Sequence, residues 1–326
     1  MKKMNISVVT VSMNRTEHLL KTAQAVSKLD LHNEHIILDY GTTIPISLDD
    51  LPKDSRIKLH RAESPDGKWW LTHSYNLAFA LSQGDYILKL DADIIPSENL
   101  ADNLTQVFSK TQAHLLCNRL TLQDWSLPNK LFTTNGLFFC LRASLEKIGG
   151  FNPYLRGWGW DEIDLYSRFF YAGFPVGRIS RDGLQPIEHD DGLREHSLHV
   201  YSTMVYPVSK SELIRIDAKR RMSVQNEKNK KIAVASIENG ITWPNFKQYL
   251  DYYSVESKLP ELQNIILFNV DQKRVLAHNL VYELMRPTRL KNAYWNLLSV
   301  FEKGPYSEDG ANSILDVCNI DLSKVS

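Results

Sequence analysis

Three cysteines, Cys117, Cys140 and Cys318, are scattered through 326 residues with no Cys-x-x-Cys pair. That excludes a disulfide framework and a zinc ribbon. No apolar run approaches the ~20 residues that span a bilayer. The stretch near the start, Ile6–Val11, is too short for a secretory signal core and soon gives way to Asn14 and Arg15. Net charge is missing too: 38 Lys+Arg balance 38 Asp+Glu. This excludes a strongly basic nucleic-acid binder and an acidic solvating tail, while leaving local patches open. No internal repeat or low-complexity linker interrupts the chain. The expectation is a reduced, cytoplasmic protein with no nucleic-acid partner, long enough to bury a core without disulfides or structural metal.

What is present is alternation. β-type runs at Ile6–Val11, His35–Asp39, Arg56–His60, Tyr86–Leu90 and His114–Leu120 are separated by segments of helical periodicity. Leu19, Leu20, Ala23 and Val26 mark one helix, Leu71–Leu81 a second, and Pro96-Ser97 opens a third. The order predicts an α/β fold: an open, mostly parallel sheet flanked by helices. Such sheets bind ligands beyond the carboxyl ends of their strands, where Thr10–Asn14, Asp39–Gly41 and Asp91–Asp93 fall. From about residue 205 the texture changes. Ser209–Lys231 holds eight Lys/Arg against three Asp/Glu, and helix-like segments follow around 246–257, 259–270 and 274–284. The division expected is a catalytic domain over 1–204 and a mainly helical C-terminal appendage over 205–326.

Asp91 and Asp93 flank Ala92 directly after an apolar strand. Residues i and i+2 project to one side, so both carboxylates can face one point and hold a hard divalent cation. Such a cation would neutralise a diphosphate leaving group. The competing reading is a simple turn, because Asp bonds its own backbone at strand ends. The densest signal is Gly157-Trp158-Gly159-Trp160-Asp161-Glu162-Ile163-Asp164. Glycines allow close approach to a ligand, tryptophans offer an aromatic face, and three acids open a helix with Leu165 and Phe169 on its apolar side. Capping explains part of this, with Asp161 as N-cap and Asp164 as an acid in the first turn. A carboxylate here can also take a proton from a sugar hydroxyl.

Together these motifs resemble the inverting, metal-dependent glycosyltransferases of the Rossmann-like GT-A fold. The nearest likeness is to glycosyltransferase family 2, with the acidic motif shared by β-1,4-galactosyltransferases and bacterial chondroitin-type polymerases. The resemblance covers residues 5–195. It implies that Thr10, Ser12 and Arg15 surround the nucleotide, and that Asp39 in Asp39-Tyr-Gly41 reads the base. Asn76 falls where the family often has Asn before its metal motif, which adds it to the expected nucleotide or donor contacts. Asp91 would bind ribose or metal, and Asp93 would ligate Mn²⁺ or Mg²⁺. Trp158 matches a tryptophan that stacks on sugar. The family's Trp-Gly-Gly-Glu-Asp reads here Trp158-Gly159-Trp160-Asp161-Glu162, with the acids swapped and a glycine replaced. Glu162 aligns with the catalytic base and Asp161 with the acid that contacts acceptor or donor sugar. The swap leaves the choice of base open, and Trp160 should reshape the acceptor site. In Ile187-Glu-His-Asp-Asp191, His189 lies 28 residues after Asp161. It is the candidate third ligand, suited to Mn²⁺, against a plain loop histidine.

Lys68-Trp69-Trp70 with His73 offers either a diphosphate or base contact or a core pair. The basic segment 210–231 offers either contact with an anionic membrane bearing a lipid-linked acceptor or a solvated helix face. The function expected is transfer of a sugar from a nucleotide-diphospho-sugar, a UDP-sugar of Gal, GalNAc or Glc type, to a hydroxyl of a glycan or lipid-linked glycan. The setting implied is synthesis of a bacterial surface polysaccharide at the inner face of the membrane. A non-catalytic sugar-nucleotide or glycan-binding module is the alternative. A nucleotidyltransferase ranks lower, because Thr10–Arg15 contains no glycine to cradle a triphosphate.

Overall fold

The computed structural model describes residues 4–65, 67–117, 136–157, 159–172, 174–179 and 183–188, and within 221–233 all but 223, 224 and 227. Trp158, His189, Cys318 and the helix-like segments beyond 245 lie outside the described residues.

Up to residue 188 the described chain runs β1 (Ile6–Ser12), α1 (Thr16–Ser27), β2 (Glu34–Tyr40), β3 (Ile57–Ala62), α2 (Leu71–Leu81), β4 (Tyr86–Lys89), β5 (Ile94–Pro96), α3 (Glu98–Thr111), β6 (Leu115–Cys117), β7 (Phe138–Leu141), α4 (Arg142–Lys147), α5 (Asp161–Tyr171), β8 (Val176–Arg178) and β9 (Leu184–Pro186); a helical stretch at 228–233 follows. The main sheet runs β3-β2-β1-β4-β7-β6-β8, and β5 pairs with β9 in a second, two-stranded sheet. β1 to β4 are mutually parallel, β7 runs antiparallel to both β4 and β6, and β8 is parallel to β6. The sheet is mostly parallel, as expected, with one reversed strand inserted that the sequence pattern did not announce.

β1 and β2 are buried along their whole length, because helices cover both faces; that is why they read as unbroken apolar runs. α1 buries Leu19, Ala23 and Val26 on one stripe. α2 is different: eight of its residues are buried, polar Thr72, His73, Ser74 and Asn76 among them. A helix enclosed this completely must give its polar side chains partners: His73 pairs with the Tyr40 hydroxyl and Ser74 with Leu71 O, while Thr72 and Asn76 bond the loop that leads to α5. Cys117 and Cys140 are both buried.

Candidate active site

The carboxyl ends of β1, β2 and β4 meet at one edge. Ser12 lies opposite Asp39 in the β1–β2 register, and the Leu90 N–H donates to Val9 O at 3.0 Å beside the end of β4. Asp91-Ala92-Asp93 leaves β4 in a turn closed by Ile94 N–H to Asp91 O. α1 fixes that turn through Thr22 Oγ1, which donates to Ala92 O at 2.8 Å. Asp93 Oδ2 then meets Arg15 Nη1 at 2.9 Å. Its own carbonyl receives the Ile187 N–H at 2.7 Å just after β9.

Asp91 is held from the protein side. Its Oδ1 accepts from Lys89 Nζ at 2.6 Å and from the Tyr75 hydroxyl at 3.1 Å. Lys89 is wholly buried, and its Nζ lies 3.6 Å from Glu162 Oε1 and 4.6 Å from the centre of the Tyr75 ring. Burial disfavours the ammonium charge, but Asp91, Glu162 and Asp161 outweigh it and hold the Lys89 pKa above the ordinary lysine range. Burial, followed by the Asp91 charge, pushes the Tyr75 phenol well above its ordinary value. Gly136 closes the cluster: a Cβ there would collide with Asp91 Oδ2 and Lys89 Nζ and crowd Glu162. One buried cation thus joins the strand-end motif to the acidic helix. Lys89 was absent from the sequence-based candidates, although its signal was visible as a lone charge inside Tyr86-Ile-Leu-Lys-Leu90.

The acidic helix is aimed by its approach. The Asn76 side chain bonds both the N–H and the C=O of Phe151, each at 2.8 Å. Trp70 Nε1 and Thr72 Oγ1 both donate to Leu155 O at 3.0 Å, and the Arg156 guanidinium stacks 3.2 Å from the Trp70 ring centre. After left-handed Gly159 (φ 99°) and Trp160 (φ 69°), α5 starts at Asp161. Asp161 is therefore the first helical residue rather than the N-cap expected. Its side chain turns back, with Oδ2 accepting the Gly159 N–H at 3.2 Å. Oδ1 is buried with no hydrogen-bond partner among the described residues. Burial and the neighbouring Glu162 charge raise the Asp161 pKa well above the carboxylate range. Glu162 is partly exposed on the Lys89 side. Asp164 is structural, its Oδ2 held by Arg168 Nε and Nη2 at 2.9 and 2.6 Å.

The structure thus gathers Arg15, Asp91, Asp93 and Glu162, with Asp161 behind them and half-buried Trp160 at the helix start. It engages other candidates elsewhere. Thr10 is buried within the sheet, its Oγ1 3.1 Å from His35 Nε2. Ser12 is buried with no hydrogen-bond partner for its hydroxyl among the described residues. Asp39 accepts from Thr42 N–H and Ile46 N–H and from Arg61 Nη1 at 2.6 Å. Asn76 is occupied by Phe151, and Trp70 is fully buried with His73 stacked on it at 4.6 Å. In the basic segment Arg221 is buried, and Lys228, Lys230 and Lys231 are half-buried.

The described residues contain no cluster of three or more His, Cys, Asp or Glu able to hold a metal ion. Asp91 and Asp93 nevertheless fit a hard divalent cation. Their side chains are 30% and 18% exposed, both are oxygen donors, and the remaining positions suit phosphate oxygens and water.

Residues 116–190, which include Gly136 and the acidic loop, match the family described as the N-terminal domain of galactosyltransferase. Among curated proteins the chain is similar to the glycosyltransferase GlyG of Streptococcus pneumoniae serotype 4, 27% identical over 140 residues. That match covers 42% of this chain and 46% of GlyG, so it spans less than half the length of that relative. Similar solved structures include the mannosyltransferase PcManGT of Pyrobaculum calidifontis in complex with GDP-Man and Mn²⁺ (13% identity, TM-score 0.46, 97% of this chain and 87% of that one). Another is S. aureus TarS in complex with UDP-GlcNAc (14% identity, TM-score 0.45, 78% of each chain). The chain thus carries a segment similar to the N-terminal domain of galactosyltransferase on a mostly parallel α/β sheet with Asp-x-Asp at a strand end.

Proposed function

We propose that the chain is an inverting, metal-dependent glycosyltransferase that moves a sugar from a UDP-sugar to a hydroxyl of a glycan acceptor. The carrying observation is the buried Lys89, which ties Asp91 to Glu162 across the edge of the sheet. It places a candidate donor motif and a candidate base on one cation. Asp91 and Asp93 would hold a divalent cation, whose charge would stabilise a departing diphosphate. Arg15, beside Asp93, adds a second cation at the same edge.

Glu162 is the base in this reading. Its side chain is partly exposed, which suits approach by an acceptor hydroxyl. It takes the hydroxyl proton as that oxygen bonds to the anomeric carbon, and the bond from that carbon to the UDP oxygen breaks on the opposite face. Asp161 is buried, with one oxygen unpartnered among the described residues. It therefore suits a hydrogen bond to a sugar hydroxyl, while the more exposed Glu162 is the one open to take the proton. Trp160 forms an acceptor-side wall. The galactosyltransferase family match favours a galactose-type donor, and a bacterial surface polysaccharide is the acceptor class proposed. No helix among the described residues is long and apolar enough to cross a membrane.

The test is UDP release from UDP-Gal, UDP-GalNAc and UDP-Glc with candidate glycans, in Mn²⁺ and in EDTA, for the parent chain and Glu162→Gln. Turnover should need the metal and fall by about 10²–10⁴-fold in the variant, with UDP–Mn²⁺ affinity kept. Near-normal turnover in Glu162→Gln would sink the base assignment. Metal-dependent UDP binding without turnover of any sugar would favour the binding-module alternative.

A further inference from the structure

The approach to α5 has a second anchor, from a part of the chain that the sequence pattern separates from the catalytic domain. Asn229 is fully buried in a helical stretch at 228–233. Its Nδ2 donates to Arg156 O at 2.9 Å and to Gly159 O at 2.8 Å. Those carbonyls bracket positions 157 and 158, the heart of the tryptophan–glycine loop. Gln225, one helical turn earlier and also buried, donates from Nε2 to Asn229 Oδ1 at 3.1 Å. That bond fixes which end of the Asn229 amide faces the loop. Asn226 packs so closely on Gly159 that a Cβ there would run into its side chain. Lys230 Nζ stands 5.9 Å from the Trp160 ring centre.

The Gly159 peptide is therefore held from both sides. Its carbonyl is bound by Asn229, and its N–H is given to Asp161 Oδ2. Only a primary amide meets this geometry well, since two N–H bonds leave one nitrogen toward two carbonyls. A carboxylate would set acceptor against acceptor, and a longer side chain would overfill a buried site.

We propose that Asn229 is a positioning residue for the transfer reaction: acting through the Gly159 peptide, it sets the placement of Asp161 and Glu162. Residues beyond 204 are then a working part of the active site. This inference rests on the transferase reading for its kinetic consequence, but not for its structural one.

The test uses the full chain, the isosteric Asn229→Asp and the milder Gln225→Leu. Parent and variants are compared for kcat, for the KM of donor and acceptor, for UDP–Mn²⁺ affinity, and for amide hydrogen exchange of the 156–163 peptide against the β4 peptide. In Asn229→Asp, kcat should fall by roughly 10- to 100-fold, the scale expected when reacting groups shift by about 1 Å. UDP–Mn²⁺ affinity should stay within about twofold, the magnitude of ordinary uncoupled sites, and exchange should quicken at 156–163 only. Gln225→Leu should move the same readouts less far, and it decides the question if Asn229→Asp does not fold. Unchanged kcat and exchange in a folded variant overturn the proposal. So does loss of UDP–Mn²⁺ affinity in step with kcat, the mark of general structural damage. If the parent transfers no sugar the transferase reading fails, and the exchange comparison still decides whether Asn229 holds the loop.

Discussion

Asp39 and Asp161 are both buried acids at the same edge of the sheet, 1% and 3% exposed, and they are built in opposite ways. Around Asp39 the chain supplies everything a carboxylate needs: two backbone N–H groups and the Arg61 guanidinium. The turn from β2 folds over it, stitched to the loop after β1 by Asn14 N–H to Thr42 Oγ1 and Thr43 N–H to Asn14 Oδ1. Around Asp161 the chain supplies one backbone N–H, leaves one oxygen unpartnered, and sets a second carboxylate next in sequence. A buried acid with a full set of partners is scaffold. One left short of partners, on a loop pinned at many points, is stored electrostatic tension of the kind found where substrates bind.

If this contrast is right, damage to the β1–β2 side should appear first as lost stability. The largest such effect expected is at His35, under Thr10 on β2. Burial lowers its pKa to about 3, so the folded chain refuses a proton that the unfolded chain accepts below about 6.5. Stability from this group is intact above pH 6.5 and is lost as pH falls toward 3. At full extent the loss is on the order of 4 kcal/mol. Urea midpoints at pH 7 and pH 4.5 should separate strongly in the parent chain and less in His35→Gln; equal separations would remove His35 as the cause. Asp39→Ala comes next, at about 3 kcal/mol, because two N–H groups and a partly exposed arginine lose their acceptor together. The measure is the urea midpoint at pH 7, and a loss below about 1 kcal/mol would return Asp39 to the list of ligand-binding candidates.

Between the two regions sits Gly136. Substitution by alanine places a methyl against the ends of the Asp91, Lys89 and Glu162 side chains. These ends can swing aside, so the stability cost should be about 1–2 kcal/mol. Turnover should fall further, by about 10²-fold, as the Lys89 bridge opens. A variant as active as its parent would show that the bridge does not set the catalytic geometry.

The β1–β2 side was also the more legible in sequence. Buried parallel strands read as apolar runs, so β1, β2 and β4 were expected within a residue or two of where they lie; β3, half-exposed, was expected as closely from its β-type alternation, and Leu71–Leu81 with the bounds it has. Asp91, Asp93, Asp161 and Glu162 were legible because acids beside apolar elements are conspicuous. Their mutual arrangement was not. Lys89 lies 73 positions from Glu162, and no local pattern announces a pair that only the sheet brings together. β7 was missed for a related reason: four apolar residues do not reveal their direction, which the connections around them impose. Asn76 and Asn229 show what sequence leaves out. One was expected among the nucleotide or donor contacts and the other lay within a basic run; each amide bonds the backbone of the loop before α5. Small polar residues on enclosed helices look like ligand contacts in sequence, and only the backbone groups opposite them say otherwise.

The smallest effect expected is the sharpest test of the contrast, because its sign is opposite to that at Asp39. Asp161 has a folded-state pKa raised chiefly by burial and then by Glu162. At neutral pH the unfolded chain releases a proton that the folded chain favours keeping, so this carboxyl costs stability increasingly as pH rises above 4. Asp161→Asn keeps an oxygen for the Gly159 N–H and removes the titration. The variant should be more stable than the parent at pH 7 by about 1 kcal/mol, and the gap should close as pH falls toward 4. Transfer should decline nonetheless, since the amide cannot reproduce the carboxyl's charge state toward a sugar hydroxyl. A variant less stable than its parent at pH 7 would mean that Asp161 is scaffold like Asp39, and the two ends of this edge would no longer differ in kind.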